Sequence, residues 1–263
     1  MTDPVNLAYS ALDDVYADKP AATRRQLVAG AAATFGSMGL LGAFAGDADA
    51  AHTEDPQTIL NVAATAEVLA TIVNTVAWER GLAGDRVTSA NLAAAAREEL
   101  AHFEFLTSAA AGGKEITRTI YVPNAVFASR TNLLQTLVVG DQIFCNAYLI
   151  ATTVFGNRGN GMLARITAEH MGVEAVHRAL ARQSLGQLGN DRVFIKYSRA
   201  EDATDVANPR QPGFRKILTA VAQLEAAGFG FGKAGSVPGT AYEFDAVRPR
   251  VPNPTGLSSL APQ

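Results

Sequence analysis

The sequence predicts an all-α protein built on a four-helix bundle, and three observations predict it. Four long stretches of about 25 residues run without a breaker, which suits a bundle better than a mixed fold. The loops between them alternate short, long, short. Hydrophobic residues make up 48% of the 263-residue chain and charged residues only 18%, the composition of a globular protein with much buried helix rather than a disordered one.

The first helix is expected from Pro56, a good first-turn residue with Asp55 ahead of it as a cap, to Gly81. The second starts near Thr88 and runs to Gly112-Gly113, a natural stop. The stretch 113–128, with "TRTIYV" and Pro123, reads as irregular or extended. A third helix is expected from Ser129 or Thr131 to Gly156, and a fourth from Met162 to Leu185, stopped by Gly186. Short loops make the first two helices, and the last two, antiparallel neighbours, while the longer link can cross from one end to the other. Two antiparallel hairpins joined by one long crossover is the ferritin-like topology. A short fifth helix follows from about Pro212, and the proline- and glycine-rich remainder is expected to lie as an extended tail over the surface or a neighbouring subunit, with no sheet of any size.

Residues 1–50 read as an export signal, 51–186 as the bundle and 187–263 as fifth helix and tail. Arg24-Arg25 precede an apolar run and then small residues, and Ala48-Asp49-Ala50 fits an A-x-A cleavage pattern. This resembles a twin-arginine export signal and implies a periplasmic or extracellular location. Retained, the same run would tether the chain to a membrane; once removed, no stable membrane span is expected. A cut after Ala50 leaves 19 acidic residues (25 less six) and 19 basic ones (22 less three), a neutral chain prone to associate into a homo-oligomer. The full chain's net charge of −3 offers nothing to a nucleic acid, and the single cysteine, Cys145, excludes an internal disulfide or a cysteine-held zinc.

The chemistry lies in the placement of carboxylates and histidines. The chain has only 4 histidines, and two of them, His102 and His177, follow a glutamate by three residues, Glu99 and Glu174. Residues three apart share a helix face. Glu67 lies in the middle of the first helix, 32 residues before Glu99, in an apolar run where an unpaired charge is costly. Asp141, the third helix's only acid, lies 33 residues before Glu174. Each hairpin thus offers one carboxylate and then a Glu-x-x-His, so a pseudo-twofold would bring four carboxylates and two imidazoles together. That is the ligand set of di-iron and di-manganese carboxylate bundles, and it suits one or two iron or manganese ions, whose charge lets the carboxylates be buried together. His170 and Tyr148 share the faces of Glu174 and Asp141, where they would extend the ligand set or hydrogen-bond it; the plain alternatives are a histidine bonded elsewhere and a core tyrosine. Asn74, seven residues after Glu67, is a weaker neighbour of the same kind. Glu98 and Glu104 are expected to face water, and Cys145 to be a small buried residue.

"ILNVAATAEVL", "AREELAHFEFL" and "GDQIFCNAYLIA" resemble the ferritin-like domain of the desiccation-related proteins over about residues 56–186. The resemblance implies a ferritin-like four-helix bundle, export and metal binding, with Glu67, Glu99, His102, Asp141, Glu174 and His177 as ligands. The family usually carries glutamate where this chain has Asp141, one methylene shorter. Two readings follow. In the first, an exported ferritin-like protein holds one or two ions and has an oxidase-like or metal-handling role with oxygen or peroxide in stress protection. In the second, a metal-poor bundle protects against desiccation or stress through its surface and tail.

Overall fold

The computed structural model describes residues 54–196 and 211–253. The expected export signal, with Arg24, Arg25 and the cut after Ala50, lies outside them. The described chain is mostly helical. Helix α1 spans Pro56–Glu79, α2 Arg86–Leu106, α3 Arg130–Asn157 and α4 Gly161–Ser184. Each begins at a polar cap: Asp55, Asp85, Ser129 and Asn160 accept backbone N–H groups of Thr58, Thr88, Asn132 and Leu163. Gly81, just past α1, takes φ +65°, the left-handed backbone that ends a helix without strain.

The helices pack as two hairpins laid against each other, α1 on α2 and α3 on α4, with further contacts between α1 and α3 and between α2 and α4. Both α1 and α3 are long and apolar enough to cross a membrane, but here most of α1's apolar stretch is buried against its neighbours. Among the described residues, two large apolar clusters and a small third one, Leu134, Val138 and Ala181, form the core. Of the two large ones, one is built around Val68, Ile72 and Phe103, the other around Ile59, Leu106 and Phe155.

Helix boundaries differ from the expected ones in places. Helix α2 ends at Leu106, not at the Gly112-Gly113 pair. The Thr107 hydroxyl bonds Phe103 O at 2.8 Å, and Gly113 N–H bonds Leu106 O at 2.9 Å, so side-chain and loop groups finish the helix early. Helix α3 passes Gly156 by one residue, and the chain turns instead at Gly159 (φ +75°).

The larger correction concerns sheet structure: the chain is not all-α. Within the crossover, β1 (Thr119–Pro123) is the middle strand of a three-stranded antiparallel sheet. Its partners come from the C-terminal region: β4 (Gly230–Phe231), with Ile120 opposite Phe231, and β5 (Gly239–Glu243), with Ile120 opposite Tyr242. A separate two-residue parallel pair joins β2 (Ile195–Lys196) to β3 (Gln211–Pro212), so the fifth helix, α5 (Ile217–Ala226), starts later than Pro212. The described part of the tail is therefore not an extended surface strap. The sheet turns Ile120 and Val122 into the core, and the short helix α6 (Phe244–Val247) buries Phe244 completely against Phe103, with ring centroids 4.7 Å apart.

Candidate metal centre

The chemistry-bearing residues converge between the four long helices. Helix α1 supplies Glu67, α2 supplies Glu99 and His102, α3 supplies Asp141 and Tyr148, and α4 supplies His170, Glu174 and His177; all eight are buried. Each sits within a long helix, where a side chain's direction is set by its place on the helix face.

The arrangement is organised around two imidazole nitrogens. His102 Nδ1 lies 3.3 Å from Glu99 Oε2, 3.4 Å from Glu174 Oε1 and 3.6 Å from Glu67 Oε2. His177 Nδ1 lies 3.1 Å from Glu99 Oε1 and 3.6 Å from Glu174 Oε2. Glu99 and Glu174 therefore each turn one oxygen towards His102 and the other towards His177. One ligand atom from each of Glu67, Glu99, His102 and Glu174 fits within 4.8 Å of the others. Glu67, His102 and His170 form a second such group.

The two halves are unequal. Asp141 is buried beside His177, Glu99 and Glu174, whose charges it feels, yet among the described residues it forms no ion pair with either histidine. Its side chain is one methylene shorter than the glutamate of α1. On the other side, His170 stacks on His102 with ring centroids 3.9 Å apart, and the Tyr148 hydroxyl donates to Glu67 Oε1, leaving Oε2 turned to His102.

Buried polar groups are nearly always hydrogen-bonded, and here they are not. Glu67 Oε2, Glu99 Oε2, both oxygens of Glu174, Asp141 Oδ2 and the Nδ1 atoms of His102, His170 and His177 are all buried without a hydrogen-bond partner. The donors are carboxylate oxygen and imidazole nitrogen, the set that suits iron and manganese. Four carboxylates also balance two divalent cations, with both imidazoles neutral. The residues around His102 thus fit a metal ion by position and donor type, while among the described residues no such close group includes Asp141 or His177.

Without cations, protons take their place. Burial, and then the charge of Glu99, pushes Glu67 up to about 7. Burial opposes a charge on His102, but Glu67, Glu174 and Glu99 outweigh it and push the group up to about 12. His177 is held well above the usual histidine value, again against burial, by Glu99, Glu174 and Glu98. Burial, then Glu174, raises Asp141. His170 goes the other way, down to about 3, because it is buried and faces His102.

Glu98 faces water, as the sequence predicts, with its side chain about half exposed, and it also reaches the cluster: its Oε2 lies 2.6 Å from His177 Nε2. That contact lowers its pKa, so it is an ionised carboxylate and can only accept. His177 Nε2–H therefore donates to it, and Nδ1 is the atom left facing the cluster. The signal for this lies in the pairing of facing helices, which a one-helix reading of α2 does not contain. Glu104 instead pairs with Arg248 at 2.9 Å, tying α2 to the C-terminal region. Asn74 donates to Ala70 O at 3.1 Å within its own helix, and lines a cavity of about 30 Å³ that also reaches Asp141 and His177. Cys145 is buried, as expected.

Comparison of the chain with family models, with curated proteins and with solved structures gives no match.

Proposed function

We propose that this protein is a ferritin-like metal-binding protein that holds two iron or manganese ions between its hairpins. The observation that carries the reading is the double role of Glu99 and Glu174, each of which offers one oxygen to His102 and one to His177. A pair of carboxylates presented this way is what bridging two cations requires. Glu67 with His102, and Asp141 with His177, would complete the two halves. Bound there, iron or manganese would supply electron exchange with oxygen or peroxide. The chain's own part is to hold the ligand side chains in place, through Tyr148 on Glu67 and Glu98 on His177, and to keep bulk water out with an apolar shell.

Membership of the desiccation-related family and a role in stress protection belong to the same proposal and rest on the motifs around Glu67, Glu99 and Asp141. Export rests on Arg24-Arg25 and Ala48-Asp49-Ala50. The deciding experiment is elemental analysis of protein purified from its exporting host, beside a Glu99→Ala/His177→Ala double variant. About two ions per chain, lost in the variant, is the expected result. One ion would single out the Asp141 half as too short to bind. None in either protein would end the metal reading and leave a bundle that acts through its surface and tail.

A further inference from the structure

Native interiors are close-packed, with few voids larger than a water molecule. Between α1, α3 and α5 this packing fails, and a cavity of about 120 Å³ remains. Ile59 and Val62 of α1, Phe144 and Ala151 of α3, and Ile217 and Leu224 of α5 supply its apolar walls. It reaches the surface at Ile116, which is 66% exposed, and its inner wall includes Tyr148, which is 3% exposed.

Only two lining side chains carry polar atoms, Thr65 and Tyr148, and both are already engaged. The Thr65 hydroxyl donates to Asn61 O at 2.7 Å and accepts the Ile116 N–H at 2.8 Å. Tyr148 donates to Glu67. With both hydroxyl protons spent, an acceptor atom on a guest would find no donor there and would lose its bonds to water. An apolar cavity of similar size, about 150 Å³ and lined by Leu, Ile and Phe, stays dry and binds benzene.

We propose that this cavity is a binding site for one small uncharged apolar molecule, about the size of a benzene ring, that stops against Tyr148. A guest there lies one side chain from the carboxylate–histidine cluster, because the Tyr148 hydroxyl is bonded to Glu67. The site itself does not depend on whether that cluster holds metal.

The test is a titration of the purified full chain with benzene, and separately with pyridine at neutral pH, followed by methyl NMR. Benzene is expected to give saturable shifts confined to the lining methyls, Ile59, Val62, Ile217, Val221 and Leu224 among them. Pyridine, of the same shape but with a ring nitrogen that finds no donor, should bind about tenfold more weakly or worse. Ala147→Leu, which fills the space, should abolish the benzene shifts while keeping a dispersed spectrum. If that variant does not fold, the two wild-type titrations still decide. Non-saturating shifts, shifts scattered over the surface, or equal affinity for pyridine would each overturn the proposal. So would a change in sedimentation on adding benzene, which would mean that a second copy of the chain fills the cavity. No arm reads metal, so failure here leaves the metal reading standing.

Discussion

Buried beside three carboxylates, His102 keeps its proton in the metal-free protein at neutral pH, and so does His177, since both are held above the usual histidine value. A cation must displace those protons, so affinity for Mn(II) should rise with pH, about tenfold per unit for each proton released. Below about pH 7 Glu67 is protonated as well, so the dependence should steepen there. Binding isotherms between about pH 6 and 8, with released protons counted by an indicator dye, check this; a flat profile would refute it. Glu98 makes a sharper single-residue case, because it is about half exposed and its loss does not hollow the core. Glu98→Ala should weaken metal binding by about 10–100-fold without changing the number of ions held, measured by competition with a chromophoric chelator. Much of the cluster was legible in the sequence, since Glu99–His102 and Glu174–His177 are local i, i+3 pairs with a chemical signature. Glu98 was not, because its role depends on which way the His177 ring faces across the gap from α4 to α2.

At the scale of elements, the long helices were legible because periodicity, capping residues and glycine stops are all local. The sheet was not. "TIYV" reads as extended on its own, but its partners lie more than 100 residues further on, at Gly230–Phe231 and Gly239–Glu243, each too short to announce a sheet. What anchors them is burial: Phe244 sits against Phe103 of α2, and its N–H bonds Arg118 O at 2.8 Å. Phe244→Ala should therefore cost about 3–5 kcal/mol in urea unfolding. It should also open the C-terminal region to proteolysis before the long helices. Equal protection of the whole chain in that variant would show that the sheet holds without its anchor.

For the whole molecule, a metal bound only by the folded state must stabilise it. At a free concentration about 100 times Kd, each ion contributes about 2.7 kcal/mol. At about 2–4 °C per kcal/mol for a domain of this size, removing one such ion with chelator should lower Tm by about 5–10 °C, and re-addition should restore it. The double variant Glu99→Ala/His177→Ala should show no such difference. A chelator-insensitive Tm in the wild-type chain, with metal present beforehand by elemental analysis, would place that metal outside the fold.

By itself the sequence determined the long helices, their alternating short and long connections and the carboxylates and histidines that meet between them. Each of these is written in local spacing: 3.6-residue periodicity, caps, and a glutamate three residues before a histidine. Only the tertiary structure decided which oxygens of Glu99 and Glu174 face which histidine, how far Asp141 stands from them, that the crossover finds strand partners in the C-terminal region, and that a void is left beside Tyr148. These depend on the positions of elements far apart in the chain, which are settled by packing whole faces together and carry no short-range mark.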